Sequence, residues 1–469
     1  MKSIIILKHF LFLFFFLYSF VSYSAPSSKN VLFLVNTETI GGKGVYELYR
    51  EMKKVGHDVK VIAIPNYYNK KLLGEIDLNF THKFDDKDVL YPCGKSAPYT
   101  QCKSIDLNPA DYIFVQNPYD SYANSILDPF FLNSNLKKFA KKIMFIVYGP
   151  HIFHQDFIND PNLPNMVHTV FVDSESTKDI YVKKYDFPED RVVVSGYQPY
   201  KEVRDGIKKV SKKKQETILW LPRWHLSLNN KDKFEGGSTF LIYHHFLYNY
   251  AKENPHINFI IRPHLLLLSV AVEQKFLSQD ELDDIFNKFS SLSNVKVSMH
   301  LNRPLSDDII ASDIIISDGT SALGEVVVAD KPIIYLSNGW NNEFNSNLLS
   351  KEFKNYIYFA YNPKDILDHI DHIRLTNYHP YEINHFSKIT NKINSLNKKI
   401  DNFSSQDDLK KIFLAPVKNS TVFVTSYLLD ILLYINSNLY SQDKREKFKK
   451  NLDPVENPAE YIAQYLLND

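Results

Sequence analysis

Residues 314–336 leave this chain few folds to choose from. Ile314-Ile315-Ile316 is an apolar run short enough for a strand buried on both faces. Ser317-Asp318-Gly319-Thr320-Ser321 breaks that run with small polar residues. Ala322 to Ala329 has helix-compatible spacing, Asp330-Lys331-Pro332 stops it, and Ile333 to Leu336 reads as the next strand. Strand, polar turn, helix and strand make one βαβ unit, the repeating element of a parallel sheet covered by helices. The turn presents backbone N–H groups and hydroxyls at a helix start, which suits an anion such as phosphate. The same residues are also good helix caps with no ligand at all, so on local sequence both readings stand.

The alternation continues through most of the chain. Val31–Val35, Val59–Ile64, Tyr112–Val115, Ile143–Val147, Thr169–Val172 and Val192–Val194 read as strands before residue 200. Val45 to Lys54 reads as a helix with Val45, Leu48, Tyr49 and Met52 on one face, opened by a turn containing Gly41, Gly42 and Gly44. Asp173-Ser174-Glu175-Ser176-Thr177 caps a second helix through Lys184. Residues 67–109 read as irregular. Lys208, Lys209, Lys212, Lys213 and Lys214 mark an exposed linker, or a basic patch facing acidic lipid. The pattern then restarts: strands at Ile218–Leu221, Asn258–Ile261 and Val295–Val297, and helices from Gly236 to Lys252 and Asp280 to Phe289.

The expected fold class is therefore α/β: two Rossmann-like, doubly wound domains facing a cleft, plus a helical C-terminal segment. The expected limits are 1–25 for a signal peptide or membrane anchor, 26–206 for the first domain, 207–216 for the linker, 217–400 for the second domain and 401–469 for the extension. Val422 to Leu439 reads as a packing helix, and Lys444 to Lys450 as a solvated basic stretch. A length of 469 residues, with 44% hydrophobic and 23% charged residues, suits two real cores. The N-terminus has Lys2 and Lys8 around an apolar run to Val21, then Ser22-Tyr23-Ser24-Ala25. That is the pattern of an export signal, although Tyr23 is bulky for cleavage after Ala25; an uncleaved anchor is the rival.

A net charge of +1, from 55 basic and 54 acidic residues, gives no reason to expect nucleic-acid binding. No zinc spacing and no carboxylate cluster of the magnesium kind is visible, so the chain is read as needing no metal and no cofactor. Cys93 and Cys102 could bridge in an exported chain or remain thiols in a reducing compartment.

Four groups stand directly after predicted strands: Tyr148-Gly149-Pro150-His151 with His154; Arg223-Trp224-His225 with the later Ser238-Thr239; Arg262-Pro263-His264; and Asp318-Gly319-Thr320-Ser321. Each has an ordinary structural explanation. Their recurrence at strand ends in both halves is what suggests a shared anion site, since Arg grips phosphate oxygens in pairs and His can move a proton near neutral pH.

With those groups in view, the chain resembles the CDP-glycerol glycerophosphotransferase-like family, teichoic-acid-type polymerases of the GT-B fold. The resemblance rests on Ile260-Ile261-Arg262-Pro263-His264, on Ile316 to Ala322, on Asp330-Lys331-Pro332-Ile333, and on Leu219 to Arg223. It implies a transferase moving a glycerophosphate-type group from a nucleotide-diphospho donor, CDP-glycerol, to a hydroxyl-bearing glycan or polyol-phosphate acceptor in cell-surface polymer synthesis. It further implies that Arg262 and His264 contact the donor pyrophosphate, with Arg223 in support, and that Ser317, Asp318, Gly319, Thr320 and Ser321 hold its phosphates. His151, with His154 as the alternative, would be the base that activates the acceptor. Gly-Pro-His stands where the family has His-Gly. A CDP-linked donor is made in the cytoplasm, so the expectation is a membrane-associated chain with a cytoplasmic catalytic part, or an exported chain with another substrate. The rivals are a nucleotide-sugar glycosyltransferase, a sugar-nucleotide epimerase of the same fold, and an exported binding protein without activity.

Overall fold

A computed structural model describes residues 28–36, 44–68, 71–74, 81–96, 102–103, 105, 107, 110–115, 120, 127–147, 149–153, 162–209, 215–224, 226, 237–298, 304–337, 344, 347–376 and 443–468. The expected signal or anchor segment, Gly41, Gly42, Tyr148, His154, residues 210–214, His225, Gly236 and the predicted helix at 422–439 lie outside them. Among the described residues, no helix is long and apolar enough to cross a membrane.

The strands are β1 (Asn30–Asn36), β2 (Asp58–Ile64), β3 (Asn66–Tyr68), β4 (Lys71–Gly74), β5 (Val89–Leu90), β6 (Ala110–Val115), β7 (Ala140–Ile146), β8 (Thr169–Val172), β9 (Val192–Val194), β10 (Thr217–Leu221), β11 (Asn258–Ile261), β12 (Val295–Val297), β13 (Ile314–Ser317), β14 (Ile333–Leu336) and β15 (Ile357–Ala360). The main helices are α1 (Val45–Lys54), α2 (Glu175–Lys184), α3 (Gln198–Ile207), α4 (Phe240–Glu253), α5 (Leu265–Glu273), α6 (Gln279–Ser290), α7 (Leu305–Ala311), α8 (Leu323–Val328), α9 (Leu348–Lys354), α10 (Pro363–Thr376) and α11 (Pro458–Asn468).

Two parallel sheets result. The first has seven strands in the order β5-β2-β1-β6-β7-β8-β9, and the second has six in the order β12-β11-β10-β13-β14-β15. Each runs outward from its first strand, then reverses and grows on the other side, which is the doubly wound pattern. The reversal falls between β1 and β6 in one sheet and between β10 and β13 in the other. The chain is thus α/β and GT-B-like. The β3–β4 hairpin and the edge strand β5 fall in the stretch read as irregular, which corrects that reading. They are short and polar-flanked, so periodicity does not reveal them.

The central strands read as apolar runs because both faces are covered. In β10, Ile218 and Trp220 pack on one side, while Leu219 and Leu221 pack on the other. That second side is closed partly by the first half of the chain: Ile152, Phe153, Tyr197, Tyr200 and Val203 share its core. The C-terminal residues tie the halves together. Helical residues 443–452 place Phe448 and Leu452 in the same core, whereas α11 lays Ala459, Ile462, Ala463 and Leu466 against the first sheet. Lys444–Lys450 is therefore not simply a solvated stretch. Phe448 is fully buried beside Tyr356, and Arg445 and Lys449 pair with Asp330 at 3.3 and 3.9 Å. Cys93 and Cys102 form a disulfide.

Candidate functional site at the strand ends of the second sheet

In a doubly wound sheet, the crevice for a ligand opens beyond the carboxyl ends of the strands where the order reverses. In the second sheet that point lies between β10 and β13, with Leu221 and Ser317 paired across it. Arg223 follows one strand and Gly319–Ser321 follow the other.

Asp318 holds this corner together. Its buried carboxylate accepts hydrogen bonds from the Arg223 amide (2.7 Å), the Thr239 amide (2.6 Å), the Thr239 hydroxyl (3.0 Å) and the Ser238 hydroxyl (3.0 Å). Burial pushes its pKa up, while the Arg223 and Thr239 amides pull it back. A carboxylate with four donors on it ties the exit of β10 to the start of α4; it does not present itself to a phosphate. Ser317 is likewise internal: its hydroxyl donates to the Leu221 carbonyl at 2.8 Å, and no part of it is exposed.

Gly319 has φ +96°, a conformation that favours glycine. A Cβ there would lie 2.9 Å from the Tyr335 hydroxyl and 3.4 Å from a Phe153 ring atom. Thr320 and Ser321 are half-buried. The Thr320 carbonyl accepts from the Leu323 amide at 3.1 Å, and the Ser321 carbonyl accepts from the Gly324 amide at 3.2 Å, opening α8.

On the neighbouring strand, His264 caps α5 by accepting the Leu266 amide on Nδ1 at 3.2 Å, and its own amide donates to the Pro222 carbonyl at 3.1 Å. Its ring stands 6.4 Å from that of Trp224. Arg223, Trp224, His264 and the Gly319–Ser321 turn therefore meet at one edge of one sheet.

Arg262, expected at the donor pyrophosphate, is held inward. Its Nη1 pairs with Asp308 at 2.7 Å, with both side chains buried, and the Ser298 hydroxyl donates to the same carboxylate at 2.5 Å. This pair fixes α7 beneath the exits of β11 and β12. His151, expected as the base, is also buried, with its ring centroid 5.3 Å from Tyr181 and 6.4 Å from Tyr185. Burial, helped by Lys184, lowers its pKa to about 3. The imidazole is thus neutral at ordinary pH but shut off from an acceptor in this arrangement.

Asp173 lies in the stretch expected to cap α2, yet Ser174 does the capping by accepting the Thr177 amide. Asp173 directly follows β8, is fully buried, and burial raises its pKa to about 6. Tyr200 is also fully buried, and burial followed by the charge of Asp173 pushes its pKa well up. Among the described residues, no group of three or more His, Cys, Asp or Glu could hold a metal ion.

No protein-family model matches the chain, and no curated protein matches it. Among solved structures, the chain is similar to the wall teichoic acid polymerase TagF at 12% identity, covering 95% of this chain and 89% of that one, with a TM-score of 0.46. It is similar to a glycosyltransferase from Rickettsia africae at 11% identity, 94% and 98% coverage, and a TM-score of 0.41. It is similar to the UDP-GlcNAc 2-epimerase of Neisseria meningitidis at 14% identity, 79% and 100% coverage, and a TM-score of 0.48.

Proposed function

We propose that the chain is a GT-B-type transferase that takes a nucleotide-diphospho donor, of the CDP-glycerol kind, at the reversal point of its second sheet. The observation that carries this reading is the meeting of Arg223, His264 and the Gly319–Ser321 turn at that point, with Asp318 holding the Arg223 amide and the Pro222 carbonyl holding the His264 amide. Arg223 supplies a fixed positive charge, and the turn supplies hydroxyls and amides for phosphate oxygens. The reading divides the chain at residues 207–216, with the acceptor side on 26–206.

In the reaction, the acceptor oxygen attacks the donor's β-phosphorus as its proton passes to a base. The phosphorus–oxygen bond to the nucleotide breaks, and CMP leaves with the electron pair. Arg223 and the turn stabilise the charge gathered on the phosphates. No step is assigned to a metal ion. Incubation with CDP-glycerol or UDP-sugars and a hydroxyl acceptor tests the reading through the nucleotide released. CMP supports it; UDP transfers the site to a nucleotide-sugar enzyme.

The burial of His151 favours a second reading, a donor-binding protein without turnover. The disulfide and the export-like start suit an oxidising compartment, where a cytoplasmic CDP donor is absent. Calorimetric donor binding with no product in any acceptor mixture supports that alternative.

A further inference from the structure

The loop leaving β7 ends on the turn just described. Gly149 lies so close to Ser321 that a Cβ on it would be 2.8 Å from the Ser321 Cβ. Pro150 lies against Gly324, where a Cβ would come within 2.7 Å of the proline ring. Phe153 covers Gly319 and stacks on Tyr335, with centroids 6.2 Å apart, and its ring also meets Phe344 at 5.2 Å and Phe353 at 5.9 Å. Its backbone forms a bridge with Phe344. The His151 carbonyl accepts from Asn347 Nδ2 at 3.2 Å, and the Ile152 carbonyl accepts from the Ser350 hydroxyl at 2.5 Å. Ile152 is fully buried and Phe153 nearly so.

These contacts have a direction. A loop buried in a domain seam must in any case satisfy its backbone carbonyls, so it is the landing of the loop on the turn that marks it out. Here residues 149, 150 and 153 each fall on one member of the 319–324 turn, and two side chains at the start of α9 hold the loop's carbonyls. With Gly149 against Ser321 and Phe153 against Gly319, the loop lies over part of the turn.

We propose that residues 149–153 are a built-in plug on the Gly319–Gly324 turn, and that the plug must withdraw before a phosphate-bearing ligand can lie there. This rests on reading the turn as the phosphate seat. The expected base, His151, sits within the plug, so one movement uncovers the turn and releases the loop that carries His151. A closed form that dominates lowers the apparent affinity for ligand by the fraction of molecules that are open.

The test compares the full chain with Phe153→Ala and with the gentler Ser350→Ala, which removes the hydroxyl holding the Ile152 carbonyl. Amide hydrogen exchange reads the turn without any ligand, and calorimetric titration with CDP reads its occupancy. The expected result is that exchange at residues 319–324 quickens by about tenfold in Phe153→Ala and by less in Ser350→Ala, while β1 is unchanged. CDP binding tightens by a similar factor, as the open fraction rises. Faster exchange with no CDP binding in any form upholds the plug and removes the nucleotide reading. Unchanged exchange, or CDP binding weakened by Phe153→Ala, overturns the plug and makes the loop a wall of the site. Should Phe153→Ala fail to fold, Ser350→Ala decides by the same two readouts.

Discussion

Two arginines that look alike in the sequence have different work in the molecule. Arg223 stands half-buried at the reversal point, its amide on Asp318. Arg262 is sealed against Asp308. Arg223→Ala is therefore expected to weaken CDP binding by one to two orders of magnitude, about the worth of one charge-assisted bond, with little change in unfolding. Asp308→Asn breaks a buried ion pair and is expected to cost about 3–5 kcal/mol in urea unfolding. If Asp308→Asn unfolds like the parent and Arg223→Ala binds CDP like the parent, these roles are misassigned. For His151, held neutral by burial, nuclear magnetic resonance is expected to show no imidazole titration between pH 5 and 8 in the closed chain. A midpoint near the ordinary 6.5 would contradict the buried placement.

At the scale of elements, α3 joins the halves, because it packs on α7 and α8 of the second half. Its half-buried Glu202 has a pKa raised to about 8 by burial, then by Glu47 and Glu325, with Asp307 adding and Lys83 opposing. A carboxyl raised in the folded state favours folding most below its ordinary value of 4.5, and that contribution is lost as pH climbs towards 8. Glu202→Gln should flatten this slope, leaving the variant more stable than the parent at pH 8 and comparable near pH 4.5. Thermal unfolding across that range checks it, and parallel pH profiles would refute it. The sequence had not shown α3, since Gln198-Pro199 after Gly196 resembles a turn. It had shown β1, β8, β11 and β14 to within a residue or two, because a parallel strand covered on both faces is an unbroken apolar run, and the less covered β2, β9 and β12 by their valines. It could not show the tasks of Arg262 or Asp318: Asp308 lies 46 residues from Arg262, and Thr239 lies 79 from Asp318. Local spacing marks a residue at a strand end but does not name its distant partner.

Across the whole molecule, each sheet borrows cover from outside its own stretch of chain. Tyr200, Val203, Ile152 and Phe153 close one face of the second sheet, and the C-terminal helices run from that sheet back to the first. The corner at the β10–β13 reversal is therefore built partly by the contact between halves. The central claim is that a nucleotide diphosphate lodges there. A crystal structure of the chain grown with CDP tests it most directly. The account predicts the two phosphates within hydrogen-bond reach of Arg223, Thr320 and Ser321, with residues 149–153 displaced from the turn. A nucleotide bound elsewhere, or bound with Gly149 still against Ser321, would contradict it.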